Sequence, residues 1–332
     1  MRIFAYEHVT GGGLAGQPLP ASLAYEADLM IRALLADLAE IPGVDVLTSR
    51  DSRLAPLGDV DVLTPGPGES HEALYERGLA GVDAAWPTAP ETGGVLEHLS
   101  LRTVARDRIL LNSGPDAVRL TASKSATISR LGELGIAVPL TVTTAEGMPA
   151  RPGPWVVKPD VGAGCEETVR VPDWRGARER LEREPGRLIA QPWIDGEQLS
   201  LSMIAGGGGG VLLCCNRQRI RIEDGRLALT GLRVNGWRDH DGCLAGLAAR
   251  IAQAVPSLWG FVGVDLVLGA DGPVVMEINP RLTTSYAGIR RALHVNVAGM
   301  VLSLLEGGGG ATAPGPDGTT AVEVVLEASG GH

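Results

Sequence analysis

The sequence predicts an α/β protein whose central and C-terminal parts combine helices and sheet in the α+β manner. One observation is the alternation of short apolar strands and helices over residues 1–112, typical of a parallel sheet packed against helices. A second is the later change to strands joined by turns such as Asp224-Gly225, which favours antiparallel hairpins. With 332 residues, the chain has room for roughly one to three domains with buried cores.

The N-terminal alternation can be assigned element by element. Residues 2–6 look like a short buried strand, and a glycine-rich turn follows them at residues 10–13. Leucine, alanine and methionine recur at helical spacing over residues 22–40, which predicts the first helix. The other expected elements are strands at 44–47, 60–63 and 82–86, and helices at 69–79 and 91–106. Together they predict an N-terminal domain of residues 1–112.

A typical helix start, Ser113-Gly114-Pro115-Asp116, opens a central domain that we assign to residues 113–191. Its expected elements are helices that carry Lys124 and end at Gly135, strands at 140–143, 155–158 and 168–171, and a helix at 175–183. The rest of the chain, residues 192–332, forms the predicted C-terminal domain. Its expected elements are hairpin strands over 199–234, a helix at 243–254, strands at 263–268 and 274–278, a helix near 294–306 and a last strand at 320–327.

The composition argues against several classes of partner. A net charge of −10 disfavours nucleic acid and an anionic membrane as main partners. No apolar run reaches membrane-spanning length, and the first residues look like a strand instead of a signal peptide, so we expect a cytoplasmic protein. The four cysteines form no C-x-x-C pair, which disfavours a zinc site. Small molecules are the expected partners, and a homodimer is compatible with the sequence.

Lysine is rare in this chain. Lys124 and Lys158 are two of 29 basic residues, and the others are arginine. Lysine is a compact charge on a flexible stem, whereas arginine is a planar fork, so a site that keeps lysine indicates a need for that shape. Contact with one phosphate oxygen in a narrow cleft is such a need. Chance is the alternative explanation, so the surroundings of the two lysines matter.

A metal-binding pattern occurs at Glu277-Ile278-Asn279. Residues two apart on a strand face the same side, so Glu277 and Asn279 point together. Asp265 lies on the preceding strand, and antiparallel pairing across the hairpin can bring it beside Glu277. Two carboxylates and an amide oxygen suit a hard divalent cation, Mg²⁺ in particular when phosphate supplies further ligands. The alternative is a pair of solvent-facing acids, yet both lie in otherwise apolar strands.

A second motif surrounds Lys158, which ends an apolar strand before a loop of small residues that runs from Gly162 to Cys165. Glycines let backbone N–H groups close on phosphate oxygens, and the lysine adds charge. The chain has no G-x-x-x-x-G-K-[ST] motif, so it is not a P-loop protein. A third segment, Ile189–Glu197, leads from a strand into a connection between subdomains. Backbone amides there could recognise an adenine edge, and Glu197 could accept from ribose hydroxyls.

These segments, in their order and spacing, resemble the ATP-grasp superfamily over residues 113–290. The resemblance implies an ATP-grasp fold preceded by an N-terminal Rossmann-like pre-ATP-grasp domain. It also implies an ATP-dependent, ADP-producing ligase that joins a carboxylate to an amine. The substrate carboxylate would attack the γ-phosphate of ATP, and the amine would then attack the acyl phosphate.

The same resemblance implies roles for individual residues. Lys124 and Lys158 would contact the nucleotide phosphates, and a loop of Gly162, Ala163 and Gly164 would cover them. Adenine would be contacted by Gln191, Trp193 and Ile194. Metal ions would be bound by Asp265, Glu277 and Asn279, and Arg281 would contact the acyl phosphate. Glu197 keeps its expected ribose contact. The metal residues would hold two Mg²⁺ ions, with Mn²⁺ as an alternative.

A narrower resemblance rests on the segments Tyr6–Gly13 and Asn279–Tyr286. Both are similar to the ATP-grasp group that includes tyramine–glutamate ligase of the methanofuran-type cofactor pathway. This implies ligation of the γ-carboxylate of L-glutamate to tyramine. Glu7 ends the first strand, where open α/β sheets bind ligands, so we expect it to hold a substrate ammonium. Tyr286 and Arg290 would line the opposite wall; for Glu7 an ordinary strand-end carboxylate is the alternative.

Three other interpretations stay open. Gly11, Gly13 and Gly16 match the G-x-G-x-x-G pattern of Rossmann dehydrogenases, but Pro18 and Pro20 stand where a helix should begin. A non-catalytic nucleotide-binding protein of the same fold would not need the intact set of acids and amide. Another amino-acid ligase, such as a D-alanine–D-alanine type or a peptide type, would keep the same site, because loops form the substrate walls.

Overall fold

The computed structural model describes residues 1–162, 164–165, 167–306, 315 and 318–326. The N-terminal strands are β1 Arg2–Glu7, β2 Asp45–Ser49, β3 Asp61–Leu63, β4 Ala84–Thr88 and β5 Ile109–Leu110. They form one sheet in the order β3-β2-β1-β4-β5, and every neighbouring pair is parallel. The expected parallel sheet is therefore confirmed.

Three helices connect these strands: α1 Ala21–Ala39, α2 His71–Leu79 and α3 Val95–Ala105. A π-helical turn, Val9–Gly13, follows β1, and a 3-10 turn, Thr92–Gly94, precedes α3. The strand order reverses beside β1, since β2 and β3 lie on one side and β4 and β5 on the other. Open α/β sheets bind ligands at the carboxyl ends of the strands next to such a reversal, which are Glu7 and Thr88 here.

A second, nine-stranded sheet draws on both the central and the C-terminal parts of the chain. Its strands are β6 Trp155–Pro159, β7 Val169–Val171, β8 Leu188–Pro192, β9 Glu197–Gly206, β10 Gly209–Glu223, β11 Arg226–Trp237, β12 Gly260–Gly269, β13 Gly272–Asn279 and β14 Val322–Val325. The order is β13-β12-β9-β10-β11-β7-β6-β8, with β14 also paired to β11. One register pair, Val169 opposite Arg226, joins β7 to β11.

Helices pack against this second sheet. They are α4 Pro115–Ala122, α5 Lys124–Glu133, α6 Trp174–Arg183, α7 Cys243–Ala254, α8 Tyr286–Leu293 and α9 Val297–Ser303, with a 3-10 turn at Leu304–Glu306. In the described ranges, no helix combines the length and the apolar character that crossing a membrane requires.

The strand expected at residues 140–143 is not formed. Val142 makes an isolated antiparallel bridge to Ala190 and pairs no further. The hydroxyl of Thr141 donates to the carbonyl of Pro139 at 3.1 Å, and such local side-chain bonds compete with ladder formation. The segment is therefore an irregular connection that lies beside β8.

The helix expected near residues 294–306 is present as α9 and the 3-10 turn that follows it, but the helix before it, α8, was not expected. The chain forms α8 earlier, and α8 ends where His294 takes the left-handed backbone conformation with φ 58°. Asn296 then starts α9, because its side chain accepts a hydrogen bond from the Gly299 N–H at 2.8 Å. The last strand is shorter than expected, and residues 307–314 lie outside the described residues.

The N-terminal sheet and the C-terminal helices share one core. Leu34 and Leu38 of α1 lie in a single buried cluster with Ile3 of β1, Ile289 of α8 and Val301 of α9. A separate cluster packs α7 against β9 and β12. The shared core fixes the carboxyl edge of the first sheet next to the end of β13.

Gly78 of α2 lies directly over the ring of Phe4 in β1. A Cβ at this position would lie 2.1 Å from a ring atom of Phe4, so the ring or the helix would have to move. Alanine gains about 1 kcal/mol of helix propensity over glycine. Overpacking a core costs about 1–3 kcal/mol, so we expect Gly78→Ala to lower the free energy of unfolding measured by urea denaturation.

Gly246→Ala in α7 is the matched control. A Cβ there meets nothing within 4 Å, so the propensity gain is unopposed. We expect its free energy of unfolding to rise by up to about 1 kcal/mol. An equal rise in both variants would contradict the close packing of α2 on β1.

Candidate active site

Two carboxylates face each other across the hairpin formed by β12 and β13. Asp265 is the register partner of Glu277, which confirms the expected pairing. Asn279 Nδ2 donates to Asp265 Oδ2 at 3.1 Å, and Gln218 Nε2 of β10 donates to Asp265 Oδ1 at 2.8 Å. The structure thus brings the three predicted metal residues together and adds Gln218, for which the sequence holds no signal.

Two negative charges side by side at Asp265 and Glu277 would repel each other in this buried position. Burial and then the charge of Glu277 raise the pKa of Asp265 to about 6, although Asn279, Gln218 and Lys158 act in the opposite direction. A cation beside such carboxylates stabilises their charged forms. Mg²⁺ commonly binds one or two carboxylates and keeps other positions for water and phosphates, so this donor set fits it. No cluster of three or more His, Cys, Asp or Glu residues suited to a metal occurs within the described part of the chain.

Lys158 reaches the cavity from β6 because strand side chains alternate between faces. Trp155 and Val157 are buried in a cluster with residues of α6, while Val156 and Lys158 line the cavity on the opposite face. Burial lowers the pKa of Lys158, and the charge of Glu277 acts against that shift. The lysine therefore stands as a nearly buried cation opposite the acidic pair.

Lys124 approaches the same acids from the start of α5. Its Nζ lies 3.4 Å from Glu277 Oε1 and donates to the carbonyl of Gly162 at 2.7 Å. Both lysines of the chain therefore lie at one site, as their scarcity in the sequence indicates. Gly162, at the start of the loop after β6, thus lies next to Lys124, and its expected place over the nucleotide phosphates stays a prediction.

Asp160 ties the start of α5 to the loop that follows β6. Its carboxylate accepts from the Ser125 N–H and from the Ser123 hydroxyl, both at 2.7 Å, and its carbonyl accepts from the Lys124 N–H at 3.0 Å. A carboxylate at a helix N-terminus is favoured by the free N–H groups there. Asp160 thus holds the two lysine-bearing segments together. Its position two residues after Lys158 is the signal that could have identified it.

Lys158, Asp265 and Glu277 line part of a cavity with a volume of about 150 Å³ that opens to solvent. Much of the remaining wall is apolar and includes Ile194 and Ile220. The predicted nucleotide-binding residues on its wall are Lys158, Gly164, Gln191, Trp193 and Ile194. Ala163, also predicted, lies outside the described residues.

Glu197 does not line this cavity. It shares a face of β9 with the core residue Leu199, whereas the next residue, Gln198, lines the cavity. Glu197 Oε2 instead pairs with Arg217 Nε at 3.2 Å on the surface. The strand alternation thus places Gln198 where Glu197 was expected, and a ribose contact for Glu197 stays a prediction.

Glu7, Tyr286 and Arg290, the predicted substrate residues, do not line the cavity either. The N–H and the hydroxyl of Thr10 both donate to Glu7 Oε2 at 2.7 Å, and burial raises the pKa of this carboxyl. Tyr286 and Arg290 donate to the two oxygens of Asp37 at 2.8 and 3.0 Å, where α8 meets α1. Substrate contacts by these three residues remain predictions.

Arg281 forms a buried bidentate ion pair with Glu91, which lies just after β4. Nε and Nη2 of Arg281 donate to the two Glu91 oxygens at 2.8 and 2.9 Å, and Nη1 donates to the carbonyl of Leu282 at 3.2 Å. The two residues are only 9% and 4% exposed. The pair joins the carboxyl edge of the first sheet to the end of β13. Sequence reasoning missed Glu91 because it stands 190 residues before its partner.

Comparisons with known proteins agree with this arrangement. A model of the ATP-grasp domain matches residues 121–285, and a model of the pre ATP-grasp 3 domain matches residues 44–118. Tyramine–L-glutamate ligase of Methanocaldococcus jannaschii is 28% identical over 209 residues, which is 63% of this chain and 59% of that protein. The match thus spans less than two thirds of the relative's own length.

Two solved structures share the fold. An ATP-grasp superfamily protein from Archaeoglobus fulgidus gives a TM-score of 0.73 at 23% identity and covers 98% of this chain and 100% of its own. An L-amino acid ligase from Bacillus licheniformis gives a TM-score of 0.64 at 16% identity, with 91% and 73% coverage. The matched domains, the fold and the paired acids and lysines agree, and this chain belongs to the ATP-grasp superfamily, with a pre-ATP-grasp domain before its ATP-grasp domain.

Proposed function

We propose that the chain is an ATP-dependent ligase that joins a carboxylate to an amine and releases ADP and phosphate. The observation that carries the proposal is the meeting of Asp265, Glu277, Lys124 and Lys158 beside one cavity with apolar walls. Paired acids suit a metal–phosphate complex, and buried lysines suit phosphate oxygens. Membership of the ATP-grasp superfamily supports ATP as the phosphoryl donor.

The cavity offers matching chemistry to each part of the nucleotide. Apolar side chains such as Ile194 and Ile220 suit the faces of a purine base. Lys124 and Lys158 would neutralise phosphate charge, and Gly164, with φ 64°, lets the loop backbone approach the phosphates closely. Mg²⁺, when bound by Asp265, Glu277 and Asn279, would neutralise the charge that develops on the transferring phosphoryl group.

The reaction would proceed in two displacements. An oxygen of the substrate carboxylate attacks the γ-phosphorus, the bond to the bridging oxygen breaks, and ADP leaves. The amine then attacks the carbonyl carbon of the acyl phosphate and forms the C–N bond, while phosphate leaves with the bonding electron pair and takes up the proton that the amine nitrogen loses. The two lysines stabilise the charge of the first step. Arg281, oriented by Glu91, is the proposed contact of the acyl phosphate.

The proposed substrates are L-glutamate, through its γ-carboxylate, and tyramine, as in methanofuran-type cofactor biosynthesis. The name and the 28% identity of the M. jannaschii relative support this pair. The first sheet meets the metal end of β13 at the Arg281–Glu91 pair, so a carboxylate bound between them would lie close to the phosphoryl donor.

We expect ATP- and Mg²⁺-dependent ADP release that requires a carboxylate and an amine together, with L-glutamate and tyramine the most active pair. The measurement is a coupled ADP assay over a matrix of amino acids and amines, with each substrate omitted in turn as the control. Turnover with D-alanine but not with glutamate and tyramine would refute the substrate assignment and keep the ligase. Binding of NAD(H) without ATP would refute both.

Glu277→Gln should abolish ADP release while the fold stays intact. The substitution keeps the shape of the side chain but removes one charge from the acidic pair. Removal of a group that stabilises transition-state charge lowers the catalytic rate by about 100-fold or more. Chelation of metal ions with EDTA should stop ADP release by the unchanged protein in the same assay, and added Mg²⁺ should restore ADP release.

Asp271→Asn, in the exposed turn of the same hairpin, is the matched control and should keep its activity. Thermal unfolding of both variants checks the fold. Near-normal turnover of the Glu277 variant would show that the metal assignment is wrong.

Lys158→Arg keeps the positive charge, yet we expect it to lower the rate of ADP release strongly. Lys158 is 8% exposed, so the larger planar guanidinium cannot take its place without displacing neighbours. We expect a loss of about 10- to 100-fold, the size of effect that a small misplacement of a catalytic group causes. Arg291→Lys, at an exposed position of α8, is the control for an exchange of arginine and lysine away from the cavity, and it should keep its activity. A retained rate in the Lys158 variant would mean that lysine stands there by chance.

A further inference from the structure

Polar residues continue beyond the metal acids on one face of the second sheet. Strand register sets four residues in a row: Asn216 of β10, Ser200 of β9, Asp265 of β12 and Glu277 of β13. The next row on this face, two residues along each strand, is Cys214, Ser202, Gly263 and Asn279. Two residues in the other direction, Gln218, Gln198 and Val267 line the cavity. The row with Gly263 therefore lies on the side of the acids away from the cavity.

Thr283, in the loop between β13 and α8, lies over this second row. A Cβ on Gly263 would lie 2.5 Å from Thr283 Cγ2 and 3.2 Å from Thr283 Oγ1. Gly263 is the register partner of Asn279, so the Thr283 side chain stands close to a proposed metal ligand. Unlike Thr284 and Ser285, Thr283 is partly exposed. Its hydroxyl is thus placed to contact a ligand beside the acidic pair.

The amide of Asn216 has its orientation fixed by the backbone. This residue is 0% exposed, and the N–H of Asn235 donates to its Oδ1 at 3.1 Å. A backbone N–H can only donate, so the amide oxygen must face Asn235. The NH₂ group then donates to Ser200 Oγ at 3.2 Å and to Ser202 Oγ at 3.0 Å. Both serine oxygens are therefore acceptors toward Asn216.

That orientation sets the direction of a relay of hydroxyl groups. Ser202 accepts from Asn216, so its single hydrogen is free for another acceptor. Ser285 Oγ, at 2.8 Å, is a better acceptor than the Cys214 sulfur opposite Ser202. Ser285 in turn donates to Thr283 Oγ1 at 2.9 Å. In the described part of the chain the Thr283 hydroxyl bonds only to Ser285, so its own hydrogen is left for a ligand.

The geometry of phosphoryl transfer indicates which ligand belongs at this position. The attacking and leaving oxygens lie roughly in line on opposite sides of the transferred phosphorus. With the nucleotide in the cavity and its γ-phosphate at the acids, the attacking carboxylate belongs on the far side, where the loop of Arg281 and Thr283 begins. A hydroxyl whose hydrogen is free suits the negatively charged oxygen of a carboxylate.

We propose that Thr283 donates a hydrogen bond to the carboxylate that the enzyme activates, and that Asn216, through Ser202 and Ser285, fixes the direction of this donor. The inference rests on the proposed ligase function. The contact holds one carboxylate oxygen while the other attacks the γ-phosphorus. Thr283 is then a substrate contact, and Asn216 is a positioning residue that does not touch the substrate.

Thr283→Val removes the donor at nearly constant volume. The measurement is coupled ADP release by the full chain with Mg²⁺, using L-glutamate and tyramine or the most active pair of the substrate matrix. We expect kcat/KM for the carboxylate to fall about 10- to 100-fold, the value of a hydrogen bond to a charged group. KM for ATP and calorimetric ATP binding should not change. Thr283→Ser should keep most of the rate, and Thr144→Val is the surface control.

Asn216→Asp tests the relay, because the substitution keeps the shape of the side chain and reverses the direction of the hydrogen bonds. An ionised carboxylate only accepts, so Ser200 and Ser202 would donate to it. Ser285 would then donate to Ser202, and the Thr283 hydrogen would turn inward to Ser285. We expect a loss similar to that of Thr283→Val, and no further loss when the two changes are combined. A general structural role of Asn216 would give additive losses instead.

Ser202→Ala cuts the relay without placing a charge in the core, so it serves where thermal unfolding shows that Asn216→Asp does not fold. It should lower kcat/KM for the carboxylate less than Asn216→Asp and add nothing to Thr283→Val. An unchanged kcat/KM in Thr283→Val would overturn the inference while the ligase stands. If the unchanged protein releases no ADP with any pair, the proposed function itself fails and the inference fails with it.

Discussion

Charge balance beside the cavity is the constraint on which the architecture of the site depends. Asp265 and Glu277 stand opposite each other on one hairpin, and burial makes their repulsion costly. Lys124 and Lys158 offset that repulsion, so α5 and β6 must be held against β12 and β13. The tie from Asp160 to α5 and the joint between β7 and β11 both contribute to this placement.

The first domain contributes to the same site through a second charge pair. Arg281 and Glu91 bring the carboxyl edge of the parallel sheet to the end of β13, and the core shared by α1, α8 and α9 supports that junction. Removal of one partner from a buried ion pair costs about 3–5 kcal/mol, because the remaining charge is left unpaired. The ion pair therefore orients the Arg281 guanidinium and, together with the shared core, fixes the first sheet against the end of β13.

Patterns among residues close in the sequence predicted those parts of the site that depend on local structure. The two-residue period of strands placed Asp265, Glu277 and Asn279 together, and the rarity of lysine singled out Lys124 and Lys158. Partners that meet only through tertiary folding left no such pattern: Gln218 stands 47 residues from Asp265 and Glu91 stands 190 from Arg281. The direction of the Glu197 side chain was also not readable from the sequence, because the face to which the first residue of a strand points depends on the path of the preceding loop.

The near absence of lysine has a chemical consequence for the whole surface. Lys124 and Lys158 are 4% and 8% exposed, so their primary amines are shielded and, apart from the amino terminus, the protein offers acylating reagents no other amine. Apart from the amino terminus, acylation of amines is therefore confined to these two buried lysines, and its extent at Lys158 reports whether the cavity is open or filled.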